Sequence, residues 1–125
     1  MTLQDIQQRN AHFQGKAAAL VDLIPGAGLL DISTALIRSA RVIDKYMIRL
    51  IHATNESQFQ QAMNLMEEEL DETVYILDRM DMKNRKYKLK VLENFLKEGY
   101  ELLSIYSLCC DHIISKRVSK DEEVI

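Results

Sequence analysis

Residues 33–77 decide the fold, and they read STALIRSARVIDKYMIRLIHATNESQFQQAMNLMEEELDETVYIL. Apolar side chains recur along this stretch at steps of three and four residues. Such steps bring the side chains to one face of a helix, and that face must be buried against another element. The first set is Leu36, Ala40, Ile43, Met47 and Leu50, and the second is Phe59, Met63, Met66, Leu70, Thr73 and Leu77. A polar turn at residues 54–57 separates the two sets, so the stretch predicts a packed pair of helices.

The same spacing continues upstream of this pair. It predicts a first helix over residues 3–23, for which Thr2 and Asp5 have the spacing of a capping box. Its stripe is Leu3, Ile6, Asn10, Phe13, Ala17, Leu20 and Ile24. Asn10 interrupts the apolar pattern, and two readings stay open. It is either an amide that sets the helix register inside the core, or a sign that the first turns fray.

Breakers and caps place the boundaries of the first three helices. The run Pro-Gly-Ala-Gly at residues 25–28 ends the first helix, because proline restricts the residue before it and glycine permits a left-handed turn. A phosphate-binding loop there would need further landmarks and a lysine that are missing, so a turn between helices is favoured. We expect the second helix at residues 29–53 and the third at 56–80. Asn55, followed by Gln58, caps the third.

The fourth helix is expected to begin near a cap at Asp81 or Asn84 and to end at about Ser115. Its stripe is Val91 or Leu92, Phe95 or Leu96, Gly99, Leu102 or Leu103, Tyr106, Cys109 or Cys110, and Ile113. Leu89, Ile105, Leu108 and Ile114 fall off its central line. This surplus apolar surface suggests a second contact, of which self-association is the simplest. Residues 116–125 are charged and aperiodic, and we expect a flexible tail.

Length and composition indicate one globular domain over residues 1–115. The chain has 125 residues, of which 47% are hydrophobic and 28% charged, with a net charge of −3. The sequence shows no apolar run long enough for a membrane span and no signal peptide, so we expect a cytoplasmic protein. Cys109 and Cys110 are adjacent and are expected to be free thiols. Short connections favour an all-α, antiparallel, up-down-up-down four-helix bundle.

Two groups of cations are candidates for nucleic-acid binding. The second helix carries four of them within an arc of about 80°, opposite its apolar face. These four are Arg38, Arg41, Lys45 and Arg49. Phosphate binding, an ordinary solvated face and a contact between subunits all fit this stripe.

The second group lies around the turn before the fourth helix. It consists of Arg79, Lys83, Arg85, Lys86, Lys88 and Lys90. Cations at a helix start oppose the helix dipole, which suggests a role other than local stability, and six cations could release several counterions from a nucleic acid. A solvated turn is the alternative.

Signals for catalysis, metals and cofactors are missing. No histidine has a glutamate three residues before it, as ferritin-like metal sites require. The chain also has no Cys-x-x-Cys and no Gly-x-Ser-x-Gly. We therefore expect no enzyme, no metal and no cofactor.

The acidic run at residues 67–72 is expected to be a solvated face that pairs with basic neighbours. Tyr75 is expected in the core with its hydroxyl at the rim.

Several residues of the deciding stretch carry a resemblance to a known family. They are Ser39, Ala40, Ile43, Ala53, Phe59 and the run Glu69-x-Asp71-Glu72-Thr73-x-Tyr75-x-Leu77. Without a gap from residue 33 to residue 77, the stretch resembles the four-helix-bundle proteins encoded in intervening sequences of bacterial 23S ribosomal RNA genes. The helical pattern that follows extends the likeness to most of the chain.

This resemblance extends to the accessory variability proteins of diversity-generating retroelements, which look like five-fold barrels of such bundles that bind nucleic acid and assist a reverse transcriptase. For this chain it implies a bacterial, non-catalytic scaffold that forms a homo-oligomer, a pentamer, with RNA or DNA and a reverse transcriptase as partners. The alternative function is a protein–protein adaptor whose last helix docks a partner helix and which binds no nucleic acid.

Overall fold

The structure, a computed structural model, describes the backbone of residues 2–124 and the side chains of residues 2–117. Four helices make up the described backbone: α1 (Leu3–Leu23), α2 (Leu30–Ile51), α3 (Glu56–Tyr87) and α4 (Lys90–Val124). Residues 2–124 contain no strand. Consecutive helices pack side by side, and α4 packs back against α1. The predicted all-α four-helix bundle is confirmed.

The predicted start of each of the first three helices is confirmed to within one residue. Thr2 caps α1 in a reciprocal box, in which its hydroxyl accepts from the Asp5 amide and the Asp5 carboxylate accepts from the Thr2 amide. Asn55 caps α3 by accepting from the Gln58 amide at 2.8 Å. Between α1 and α2, Gly26 and Gly28 both have positive φ, as the glycine-rich turn predicts.

The boundary between α3 and α4 differs from the prediction. Helix α3 continues past Met80 to Tyr87, because its buried face continues through Met80 and Asn84. It ends at Lys88, which has φ 51° in the left-handed region and whose amide donates to the Asn84 carbonyl. The Asn84 side chain then accepts from the Leu89 amide at 2.9 Å, one residue before α4 begins. Asp81 and Asn84 both lie within α3, so the prediction that one of them caps the start of α4 is wrong, although Asn84 holds the residue that precedes α4.

Helix α4 also extends beyond its predicted end at Ser115. Its backbone is helical to Val124, so the boundary at Ser115 is wrong. Arg117 accounts for part of the extension: its guanidinium lies 4.0 Å from the Phe59 ring centroid and 3.5 Å from a Glu56 carboxylate oxygen. The side chains of residues 118–125 lie outside the described residues, and the flexibility predicted for the tail at 116–125 stays a prediction.

The core is formed by the predicted stripes. Every member of the α2 stripe is buried, and so is the α3 stripe apart from the half-buried Leu70. In α4, Leu92 is buried and Val91 is exposed, while Cys110 is buried and its neighbour Cys109 is half-buried. Both thiols are free, as predicted.

Helices α1 and α4 come together through aromatic rings. Phe13 and Phe95 stack with centroids 4.6 Å apart and planes within 5°. Beside them, a Cβ built on Gly99 would lie 3.0 Å from atoms of both Phe13 and Leu77. Glycine at this helix position therefore permits the close approach of α4, although it lowers helix propensity.

A buried polar network joins α1, α2 and α4. The Asn10 side-chain amide donates at 2.9 Å both to the Ala40 carbonyl and to the Tyr106 hydroxyl. That hydroxyl donates in turn to the Asp44 carboxylate. Gln14 donates to the Asn10 side-chain oxygen at 3.3 Å. Of the two readings of Asn10, the core amide is therefore confirmed.

Ionisation of this network is disfavoured. Burial raises the pKa of Asp44, against the effect of the hydrogen bond from Tyr106. Burial, together with the adjacent Asp44 carboxylate, raises the pKa of Tyr106, so the phenol stays protonated and keeps its role as a donor.

We predict that Tyr106→Phe lowers the free energy of unfolding by about 1–3 kcal/mol, because it removes the hydroxyl that donates to the partly buried Asp44 carboxylate and accepts from the buried Asn10 amide. Tyr87→Phe is the matched control at an exposed site, and it should change stability by less than about 0.5 kcal/mol. Urea denaturation measures both. Equal effects of the two substitutions would contradict a structural role for the network.

We predict that Asp44→Asn stabilises the protein at neutral pH. Because the folded-state pKa of Asp44 is raised, the folded protein binds more protons than the unfolded chain between 3.8 and the folded value, and stability falls as pH rises through that window. The asparagine variant lacks this loss. Its advantage in urea denaturation should therefore shrink on acidification and vanish below pH 3.8. A constant difference at every pH would be the contrary result.

We predict that Lys88→Gly raises the free energy of unfolding by up to about 1 kcal/mol, since glycine adopts the left-handed conformation without a Cβ penalty. Lys86→Gly removes the same charge from the last turn of α3, where the backbone is still helical, and should lower stability by up to about 1 kcal/mol. Thermal unfolding compares the two variants. If Lys88→Gly destabilised the protein, the left-handed backbone conformation of Lys88 would have little free-energy cost, which would contradict this prediction.

Candidate nucleic-acid interface

The basic stripe of α2 lies on the outside of the bundle. Arg38, Arg41, Lys45 and Arg49 are all exposed, opposite the buried stripe, as predicted. Arg41 donates to the side-chain oxygen of Gln14 on α1 at 3.2 Å. The guanidinium of Arg49 lies 5.8 Å from the centroid of the half-buried Tyr46 ring. These contacts hold two of the cations near the surface without neutralising them.

The carboxylates of residues 2–117 leave the charge of the stripe unneutralised. Among the side chains of residues 2–117, no Asp or Glu oxygen lies within 4.0 Å of its four cations. All four side chains are exposed, although Arg41 reaches Gln14 on α1 and Arg49 borders a cleft between α2 and α3. The stripe is therefore available to an anionic partner.

The second cation group occupies a different helix end from the predicted one. Arg79, Lys83, Arg85 and Lys86 belong to α3, and Arg85 and Lys86 fall in its last turn. Cations in the last turn of a helix are stabilised by the dipole. The prediction that the cluster opposes a helix dipole is therefore wrong for Arg85 and Lys86, whereas Lys90 is the first residue of α4 and does lie at a helix start. Local stability accounts for part of this cluster.

Three of the six cations have partners in the chain. Lys83 donates to the Gly28 carbonyl at 3.1 Å, which ties α3 to the turn between α1 and α2. Arg85 lies 4.0 Å from the Asp81 carboxylate, and Lys90 lies 3.9 Å from that of Glu93. Arg79, Lys86 and Lys88 have no carboxylate within 4.0 Å among the described side chains.

An outer row on α3 combines these free cations with exposed apolar groups. It consists of Tyr75, Arg79, Met82 and Lys86, which at 100° per residue fall within an arc of about 60°. Tyr75 is 58% exposed and Met82 is 65% exposed. The Arg79 guanidinium lies 6.0 Å from the Tyr75 ring centroid, and the Lys86 ammonium lies 5.8 Å from that of Tyr87. Exposed rings beside cations are the groups that stack on bases and bind phosphates.

Sequence reasoning missed this row because it placed Tyr75 in the core. Tyr75 lies two residues from Thr73 and from Leu77, both of which are buried. Two residues are about 200° on a helix, so Tyr75 points to the opposite side. The spacing of Tyr75 from the buried Thr73 and Leu77 could therefore have predicted its exposure.

The two cation groups extend toward opposite ends of the bundle. Ser39 on α2 contacts Thr73 on α3, and Gly28 contacts Lys83. At 1.5 Å per residue, Arg49 lies about 15 Å from the Ser39–Thr73 contact toward one end of the bundle, and Lys83 lies about 15 Å from it toward the other. A partner that binds both groups must therefore extend along the bundle.

The acidic run does not pair with basic neighbours as predicted. No Lys, Arg or His nitrogen of residues 2–117 lies within 4.0 Å of Glu67, Glu68, Asp71 or Glu72. All four are exposed, and Glu67 and Asp71 lie on the side of α3 that faces α4. Their charge is therefore also unneutralised within the described chain.

The two cysteine thiols, which are the other reactive side chains considered, are at least partly buried. Burial raises the pKa of the Cys110 thiol to about 11 and also raises that of Cys109. In the part of the chain that the structure describes, no three His, Cys, Asp or Glu side chains are close enough to hold a metal ion. Within that part, no helix has the length and hydropathy to cross a membrane.

The chain matches no protein-family model, no curated protein and no solved structure. The likeness of residues 33–77 to the 23S intervening-sequence proteins stays a prediction.

Proposed function

We propose that the protein is a non-catalytic, homo-oligomeric scaffold, a pentamer, that contacts RNA or DNA phosphates and assists a nucleic-acid-processing partner such as a reverse transcriptase in the bacterial cytoplasm. The observation that carries the nucleic-acid contact is the end of α3, where unneutralised Arg79, Lys86 and Lys88 lie beside exposed Tyr75 and Tyr87. The partner and the subunit number rest on the sequence resemblance.

A net charge of −3 constrains how such a protein binds. It provides no global attraction for a polyanion, so binding depends on local cations and weakens steeply as salt competes for the phosphates. The α2 stripe and the α3 end are the two places where cations are concentrated.

The alternative, a protein–protein adaptor, is favoured by one separate observation. A largely apolar cleft of about 440 Å³ opens where α1 begins, between α1, α2 and α4. Ile51, Ile105, Leu108 and Ile113 contribute to its lining. Apolar clefts of this kind accept the apolar face of a partner helix.

We predict that the intact oligomer binds mixed-sequence RNA and DNA at low salt, and that Lys86→Gln/Lys88→Gln weakens binding. The slope of log affinity against log salt should become shallower by about 1 for each phosphate that the variant no longer neutralises. Fluorescence anisotropy with labelled oligonucleotides measures both the affinity and the slope.

The matched control is Lys97→Gln/Lys116→Gln, which removes the same charge from exposed positions of α4. It should leave the slope unchanged. Absence of binding by the wild type at low salt would refute the nucleic-acid contact and leave the adaptor. Equal slopes for the two variants would exclude the α3 end as the contact surface.

A further inference from the structure

A groove between α3 and α4 has an acidic side and an apolar lining. Its volume is about 520 Å³, and its apolar lining includes Leu70, Val74 and Leu103. Glu67 and Asp71 lie along its α3 side, one helical turn apart. Neither carboxylate has a cation within 4.0 Å among residues 2–117. The groove therefore presents negative charge beside the apolar Leu70 and Val74, and its α4 side adds the polar side chains of Tyr100, Ser104 and Ser107.

The outer face of α2 has the complementary pattern. Arg41, Lys45 and Arg49 follow one another at steps of four residues, about 6 Å apart along the helix. Ile48 lies beside them and is 42% exposed. We call this surface, with Arg41, Lys45, Ile48 and Arg49, the α2 ridge. Its cations follow one another at four-residue intervals, as Glu67 and Asp71 do. Ile48 is apolar, as are Leu70 and Val74 in the groove.

The ridge and the groove cannot meet within one chain. The ridge points outward from α2, opposite the face that packs on the core, whereas the groove lies on the far side of α3, where α3 packs against α4. Charge complementarity of this kind can be satisfied only between two copies.

We infer that the α2 ridge of one copy lies in the α3–α4 groove of a second copy. Lys45 and Arg49 then pair with Glu67 and Asp71, and Ile48 packs against the apolar lining. Isolated surface ion pairs contribute little, so burial of Ile48 and the neighbouring aliphatic groups supplies the main attraction. The charges fix orientation and partner choice.

This interface is heterologous, because two different surfaces meet. A pair of copies keeps one free groove and one free ridge, so further copies add head to tail, and association stops when a ring closes. The inference rests on the homo-oligomer in the proposed function, and it assigns the α2 stripe to the subunit interface. Nucleic-acid contact is then left to the α3 end.

Two charge reversals test the interface. Lys45→Glu/Arg49→Glu makes both surfaces acidic, and Glu67→Lys/Asp71→Lys makes both basic. Like charges should weaken self-association about 100-fold in each variant. Lys97→Glu/Lys116→Glu is the control with the same charge change as the first variant, and it should keep the wild-type mass. Light scattering after size-exclusion chromatography gives the masses, and circular dichroism checks the fold.

Mixing the two reversed variants is the decisive step. Each then offers the surface that the other lacks, so an equimolar mixture should form species heavier than either variant alone. Because the two variants can only alternate, they cannot close a ring with an odd number of subunits, and the chain that carries all four substitutions is the one that should regain the wild-type mass. The chain that carries all four substitutions should also self-associate, which keeps the test valid if one variant folds poorly.

A wild-type oligomer that survives both reversals would overturn this interface and leave the oligomeric scaffold in place. Two dissociated variants that fail to reassemble would overturn it as well. A wild-type monomer at micromolar concentration would refute the oligomer itself, while the anisotropy measurement on Lys86 and Lys88 tests nucleic-acid contact separately.

Discussion

Burial of the α2 stripe against α3 is the interaction on which the rest of the structure depends. Leu36, Ile43 and Met47 on α2 and Met66 and Leu77 on α3 are almost fully removed from solvent. Each such side chain contributes about 1.5–3 kcal/mol relative to an exposed position. Because these stripes fix which side of each helix faces inward, they also fix which side carries charge. The α2 cations and the α3 carboxylates are therefore left outside the bundle.

The polar groups inside the bundle add specificity to this apolar packing. Asn10 ties α1 to the α2 backbone at Ala40 and to α4 through Tyr106. A one-turn slip of α1 would leave this buried amide without its partners, at a cost that apolar contacts alone would not impose. The network therefore explains why three helices adopt a single register, although leucines and methionines tolerate several.

The sequence predicted the fold well because the α2 and α3 stripes have a clear helical period, and it predicted Thr2 and Asn55 as caps because their spacing is distinctive. The sequence did not predict the features that depend on contacts between distant parts of the chain. Nothing local shows that Lys88 adopts a left-handed conformation or that Arg117 stacks on Phe59. The cations of the α3 end were identified, but most were assigned to the start of α4, because the cap-like Asp81 and Asn84 lie inside α3. Binding by these cations depends on a partner, which residue spacing does not identify.

Native-state hydrogen exchange tests most directly whether the α2–α3 stripe is the element that holds the bundle together. We expect amides near Ile43 and Leu77 to exchange only through global unfolding, with a free energy equal to that from urea denaturation. Amides in the last turns of α4 should exchange at much lower free energies. Local exchange at Ile43 and Leu77, faster than at Leu20 and Leu96, would contradict the central role assigned to this pair.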